Sequence, residues 1–348
     1  MRLLLAMEHR IARLALLVCL ACLVAAPFAW ASPQKKAAAR PQGRELADLY
    51  AEESADRKDG ARRSEKELAE RRKARLERLD GLIRDGRLAT GQDCYYAGRI
   101  LSRDDETADR LLLGHTLFTV AALQKVPYAL DASVETLDRW LLAIEQPQQL
   151  CSVLDGDGSN APPTAPFDNR VHQSIRAEFG LEPLHFDDER PEPKGKKPKG
   201  FNSKELQRLD RSLHGDPKEI RPVDPVEALE RARKMIGEGG LTGASDHFAA
   251  ARLLARSERT SDLAISHALA VLAATKEQAG ARELVAGSLD ALLRSVKQPE
   301  AFGSALTSGS HEHAFDAWGP PLDELLRKNY GLRQIERTPR EAGASDDE

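Results

Sequence analysis

The chain has 348 residues, enough for two ordinary domains. With 51 basic against 55 acidic residues its formal net charge is −4, and aromatics are 5%. That balance supplies no field to draw in nucleic acid and few rings on which bases stack, so nucleic acid is excluded as a partner.

Residues 1–31 read as a signal peptide. Arg2, Arg10 and Arg13 supply positive charge, an apolar run follows to Val24, and Ala29-Trp30-Ala31 fits the small-x-small cleavage rule. The run is shorter than the roughly 20 residues a spanning helix needs, so an uncleaved anchor is the weaker reading. The mature chain is expected to be exported, periplasmic or secreted, and to carry no membrane span. Cys19 and Cys22 leave with the signal, so Cys94 and Cys151 remain. An even count in an oxidising compartment allows one disulfide between them; the alternative is two separate buried thiols.

Residues 32–44 are a flexible lead-in. From Glu45 to Arg84 charge dominates, in residues that are strong helix formers, and the expectation is a helix with a solvated face. A helical domain is expected over 45–186. Asp93 is placed as the cap of a first helix. A second carries Leu111, His115, Phe118 and Ala122 on one stripe. A third opens near Pro127, carries Leu130, Val134, Leu137, Leu141 and Ile144, and stops before Pro147. Residues 156–166 read as a loop, and Phe167–Leu184 as one more amphipathic helix.

Residues 187–223 read as a Pro/Lys-rich linker around a short helix from Ser203 to Leu213. A second helical domain is expected over 224–335, and 336–348 as a disordered tail. Its plan repeats the first. Asp246 follows Asp93 by 153 residues; His267, Asp290 and Pro299 follow His115, Asp138 and Pro147 by 152. A period this long indicates tandem domains, not a solenoid. No stretch alternates as strands require. The fold class is therefore all-α: two related antiparallel helical-bundle or helix-hairpin domains in tandem after a signal peptide.

Asp93-Cys94-Tyr95-Tyr96-Ala97, Leu112-Leu113-Gly114-His115, Asp138-Arg139-Trp140-Leu141-Leu142 and Pro147-Gln148-Gln149-Leu150 come in one order. Together they resemble an uncharacterised bacterial family of helical domains, a domain of unknown function with blocks D-Y-Y-H-A-A, L-L-A-H, D-R-Y-L-L and P-Q-R-[YF]-G-T-Q. The second copy matches through His267, Asp290 and Pro299-Glu300-Ala301-Phe302-Gly303-Ser304. The resemblance covers about 60 residues of each half and implies a helical fold and bacterial origin. Neither copy has the final glutamine: Cys151-Ser152-Val153 and Gly303-Ser304-Ala305 stand there.

The candidate chemical residues are the recurring pairs His115 with Asp138 and His267 with Asp290. A histidine oriented by an aspartate on the next helix serves a hydrolase-type enzyme as general base. No Ser, Cys or Thr nucleophile shares the register, so the favoured reading is a packing histidine and no catalytic residue. Arg99 and Arg103, with Arg252 and Arg256, are candidates to clamp an acidic ligand; the alternative is surface pairing with Asp104, Asp105 or Glu258. His311-Glu312-His313 is no closed ligand set, so neither metal nor cofactor is expected. The expected role is a non-enzymatic interaction or structural module of the cell envelope, its partner another protein or the other domain.

Overall fold

A computed structural model describes residues 44–59, 62–103, 107–155, 162–184, 203–214, 223–303 and 320–332. The signal segment, the tail, Asp104, Asp105 and the His311-Glu312-His313 loop lie outside the described residues. Among those described the fold is all-α, with two isolated bridges, Gln148 with Phe167 and Leu154 with Pro163, and no named strand. No described helix is long and apolar enough to cross a membrane.

In the first half the helices are α1 (Arg44–Asp59), α2 (Glu65–Arg84), α3 (Gly91–Leu101), α4 (Ala108–Leu123), α5 (Ala129–Ala143) and the short α6 (Gln173–Glu178). The second half runs α7 (Ser203–His214), α8 (Pro225–Glu238), α9 (Ala244–Leu254), α10 (Thr260–Thr275), α11 (Ala281–Ser295) and α12 (Pro320–Asn329). In each half the third helix packs on the first and the fourth, and the fourth packs on the fifth.

Local chemistry sets the starts. Ser64 caps α2 by accepting from the Glu67 N–H, and Asp224 with Pro225 opens α8. Asp93 is not the cap of α3 but its third residue. Thr90 is the cap, and the two close a capping box in which the Asp93 carboxylate accepts from Thr90 N at 2.9 Å. The sequence between Asp93 and the apolar positions is the same under either register, which is why the expectation fell three residues late.

The charged stretch departs further from expectation. It breaks into α1 and α2, which turn on one another, and their facing charges are buried. Arg75 reaches Glu53 at 2.7 Å and Asp56 at 2.9 Å, with all three side chains no more than 2% exposed. Arg71 and Arg103 close the network at 3.0 and 3.1 Å. Composition identifies helix but is silent on the partner that turns a solvated face inward. Residues 167–184 likewise form only one and a half turns, α6: residues 167–172 lie outside any helix, and Asp168 N donates to Gln148 O.

Helices α4 and α10 form the centre. Every residue from Leu111 to Leu123 and from Asp262 to Ala274 is buried, so neither has the single apolar stripe expected of it. Helices apolar all round occur where neighbours cover every face. Here α4 and α10 touch each other, and one hydrophobic core runs from Leu46 to Tyr330 through both halves. Residues 187–223, expected as a linker, contribute α7 to that core through fully buried Leu206 and Leu209.

Backbone details recur between the halves. Lys125, Tyr128, Glu145 and Cys151 have φ of 51 to 62°. Glu277, Gly280, Lys297 and Gly303, each 152 residues on, have φ of 59 to 75°. Gly86 and Gly239 match at +66° and +69° in the turn after the second helix. Gly86 lies against Pro321 at the start of α12, and Gly239 lies against His172, the cap of α6. The last helix of each half is thus seated on the second helix of the other; His172 N donates to Ile236 O at 3.3 Å, and Tyr330 donates to Thr116 O at 3.3 Å.

One ion pair recurs with its charges exchanged. Arg110 of α4 meets Asp80 of α2 at 3.0 Å, while Asp262 of α10 meets Arg233 of α8 at 2.5 Å. Each arginine takes its carboxylate with two or more nitrogens or oxygens, the fork geometry that fixes direction as well as charge. Arg110→Asp alone sets two carboxylates together and should destabilise by about 2 kcal/mol. Adding Asp80→Arg should restore most of the loss, as read from urea midpoints of the two variants.

Candidate functional site

The recurring histidines meet each other. His115 on α4 and His267 on α10 are 1% and 0% exposed, and their Nε2 atoms lie 2.8 Å apart with the rings tilted at 65°. His115 Nδ1 lies 2.7 Å from Ser133 O, and His267 Nδ1 lies 3.1 Å from Val285 O and 3.2 Å from Ser288 Oγ. Ser133 O and Val285 O only accept, so each Nδ1 faces a carbonyl oxygen, and the Ser288 hydroxyl donates to Val285 O at 3.1 Å. In a neutral pair one Nε2 donates to the other, so one of the two rings gives up its Nδ1 proton. Thr136, at the place of Ser288, donates to Ala132 O.

Asp138 and Asp290 do not pair with these rings, as the hydrolase reading requires. Both nitrogens of His115 are already engaged. Asp138 is fully buried and accepts from Gln149 N at 2.8 Å, Leu150 N at 3.2 Å and Ser152 N and Oγ at 2.9 and 2.7 Å. Asp290 accepts from Ala301 N at 2.7 Å and Phe302 N at 2.9 Å, the corresponding amides. Each aspartate pins the loop after Pro147 or Pro299, which explains its recurrence without catalysis. The helical period places His and Asp on neighbouring helices but not facing.

Burial drives the His115 imidazole down to about 4, the Ser133 carbonyl opposing it in part; burial, then its neighbour His115, pushes His267 well down. Both are neutral at pH 7, and the Ser288 hydroxyl beside His267 is fully buried and donates to Val285 O. Asp138 is pushed up by burial against the pull of Ser152 and the loop amides. Cys94 and Cys151 are separate, buried, free thiols, both pushed up to about 12 by burial, so the disulfide allowed by the sequence does not form here and neither is a ready nucleophile.

The arginines divide. Arg103 pairs with Glu53, and Arg252 with Asp210 at 3.3 Å beneath the Phe248 ring. Arg256 is exposed. Arg99 lines a cavity of 580 Å³ between α1, α3 and α5, with Arg57, Arg103 and Arg139 around it. The sequence reading missed Arg57 and Arg139. The signal for Arg139 was present, since Ala291 stands at its place in the otherwise matching second half. Among the described residues no three His, Cys, Asp or Glu side chains are placed to hold a metal ion. Comparison with protein-family models, with curated proteins and with solved structures finds no match.

Two outcomes test this site. The folded His115 titrates below the ordinary 6.5, so its contribution is full above 6.5 and is lost as pH falls toward 4. Over that range wild type should lose about 3 kcal/mol through His115 alone, and His115→Gln/His267→Gln should flatten the acid limb in denaturant titrations from pH 7 to 4. Asp138→Ala strips the acceptor from three buried amides and should cost on the order of 3 kcal/mol, with Asp290→Ala close behind.

Proposed function

We propose that the chain is an exported, non-enzymatic helical module of the bacterial cell envelope, made by copying one helical unit, in which each half serves as the other's partner. The observation that carries this reading is the contact of His115 with His267. In a symmetric dimer a residue near the two-fold axis meets its own copy, and here the same register position of each half does so within one chain. Recurrence of the positive-φ residues, the aspartate-pinned loops and the exchanged ion pair supports one parent unit that later drifted. The resemblance to the family of unknown function is kept as part of this proposal, as are the antiparallel bundle of each half and the signal segment that carries export.

A neutral, closed imidazole pair with carbonyl and hydroxyl neighbours supports packing, not proton transfer to a substrate. The hydrolase reading has no geometric footing, because the aspartate it needs is spent on a loop. The experiment is fractionation of cells making the full chain, followed by amino-terminal sequencing and sedimentation of the released protein. The expected result is a mature chain beginning at Ser32, outside the cytoplasm, sedimenting as a monomer. An uncleaved chain in the cytoplasm, or a stable dimer, overturns the reading.

A further inference from the structure

The cavity beside α3 gathers four guanidinium groups around one space. Arg57, Arg99, Arg103 and Arg139 line it, with Glu135 the one carboxylate among the lining side chains and Ser102 between them. Three of the arginines are held in place. Arg57 and Arg103 lean on buried Glu53 at 3.4 and 3.1 Å, and Arg139 reaches Glu135 at 2.7 Å and Ser102 O at 3.4 Å. Arg99 Nε is buried with no hydrogen-bond partner. Side chains already fixed lose little freedom when a ligand arrives.

The second half shows what the same architecture does without this chemistry. Arg139, Glu135 and Ser102 correspond to Ala291, Gly287 and Ala255, and Arg252, at the place of Arg99, is paired with Asp210. Arg139 and its partner Glu135 are thus absent from the second half, whose helices α9, α10 and α11 pack in the same order.

We propose that this cavity binds a small organic phosphate. Four guanidinium forks around one space match a group with three or more oxygens and two negative charges; a single carboxylate occupies one fork. The volume exceeds that of bare phosphate and lies in the range of small-molecule sites, leaving room for a hydroxylated body against Glu135 and Ser102.

The test is calorimetric titration of the mature chain with glycerol phosphate, pyrophosphate and citrate at low salt, where charge attraction is least screened. One saturable site for both phosphates is expected. Arg99→Ala and Arg139→Ala should each weaken it about tenfold, and Arg252→Ala should leave it unchanged. If Arg139→Ala fails to fold, Arg139→Lys, which keeps charge but not the fork, should weaken binding with a wild-type melting curve. Absence of saturable heat with both phosphates, tighter binding of citrate, or an equal loss in Arg252→Ala overturns the proposal.

Discussion

The structure depends on two helices that are apolar on every side and therefore stable only inside something else. Helix α4 has nowhere to bury its far face except against α10, and α10 has the same need. Where they meet, each contributes an imidazole at 0 or 1% exposure, and one Nε2 donates to the other across 2.8 Å. A matched buried polar pair favours one register, while a half-matched pair costs more than an apolar contact. The carbonyls of Ser133 and Val285 orient the two rings where the halves meet. The same closure removes the imidazoles from any substrate.

Much of this was legible beforehand. The helical periods, the stop before each proline and the constant offset between paired residues located eight of the longer elements and both histidines. What lay across from each side chain was not legible. A period of 3.6 assigns His115 to a face but cannot say whether Asp138 or His267 stands opposite. For the same reason the charged stretch looked solvated. Glu53, Asp56 and Arg75 meet only because α1 and α2 pack on one another, and no residue-by-residue propensity encodes that encounter. The short α6 shows the other limit: Val171, Ile175 and Phe179 are all buried at helical spacing, yet residues 167–172 are not helical, and Asp168 N is taken by Gln148 O and His172 N by Ile236 O.

The halves differ most where packing leaves them free to differ. Core positions keep size and character, as with Ile83 and Ile236 or Leu88 and Leu241. The Asp80–Arg110 pair and its reversed counterpart show that a position can retain an interaction while exchanging its charges. Either single exchange would oppose like charges, so the two positions of each pair are energetically coupled. The arginine-lined cavity is a different kind of difference: Arg99 and Arg103 have Arg252 and Arg256 at their places, while Arg57 and Arg139 have Asp210 and Ala291.

The crossed seating of the terminal helices has a mechanical consequence. Because Pro321 rests on Gly86 and His172 on Gly239, neither half can come apart without stripping a helix from its neighbour. Melting is then all-or-none across the described fold: the chain has the plan of two units but the cooperativity of one.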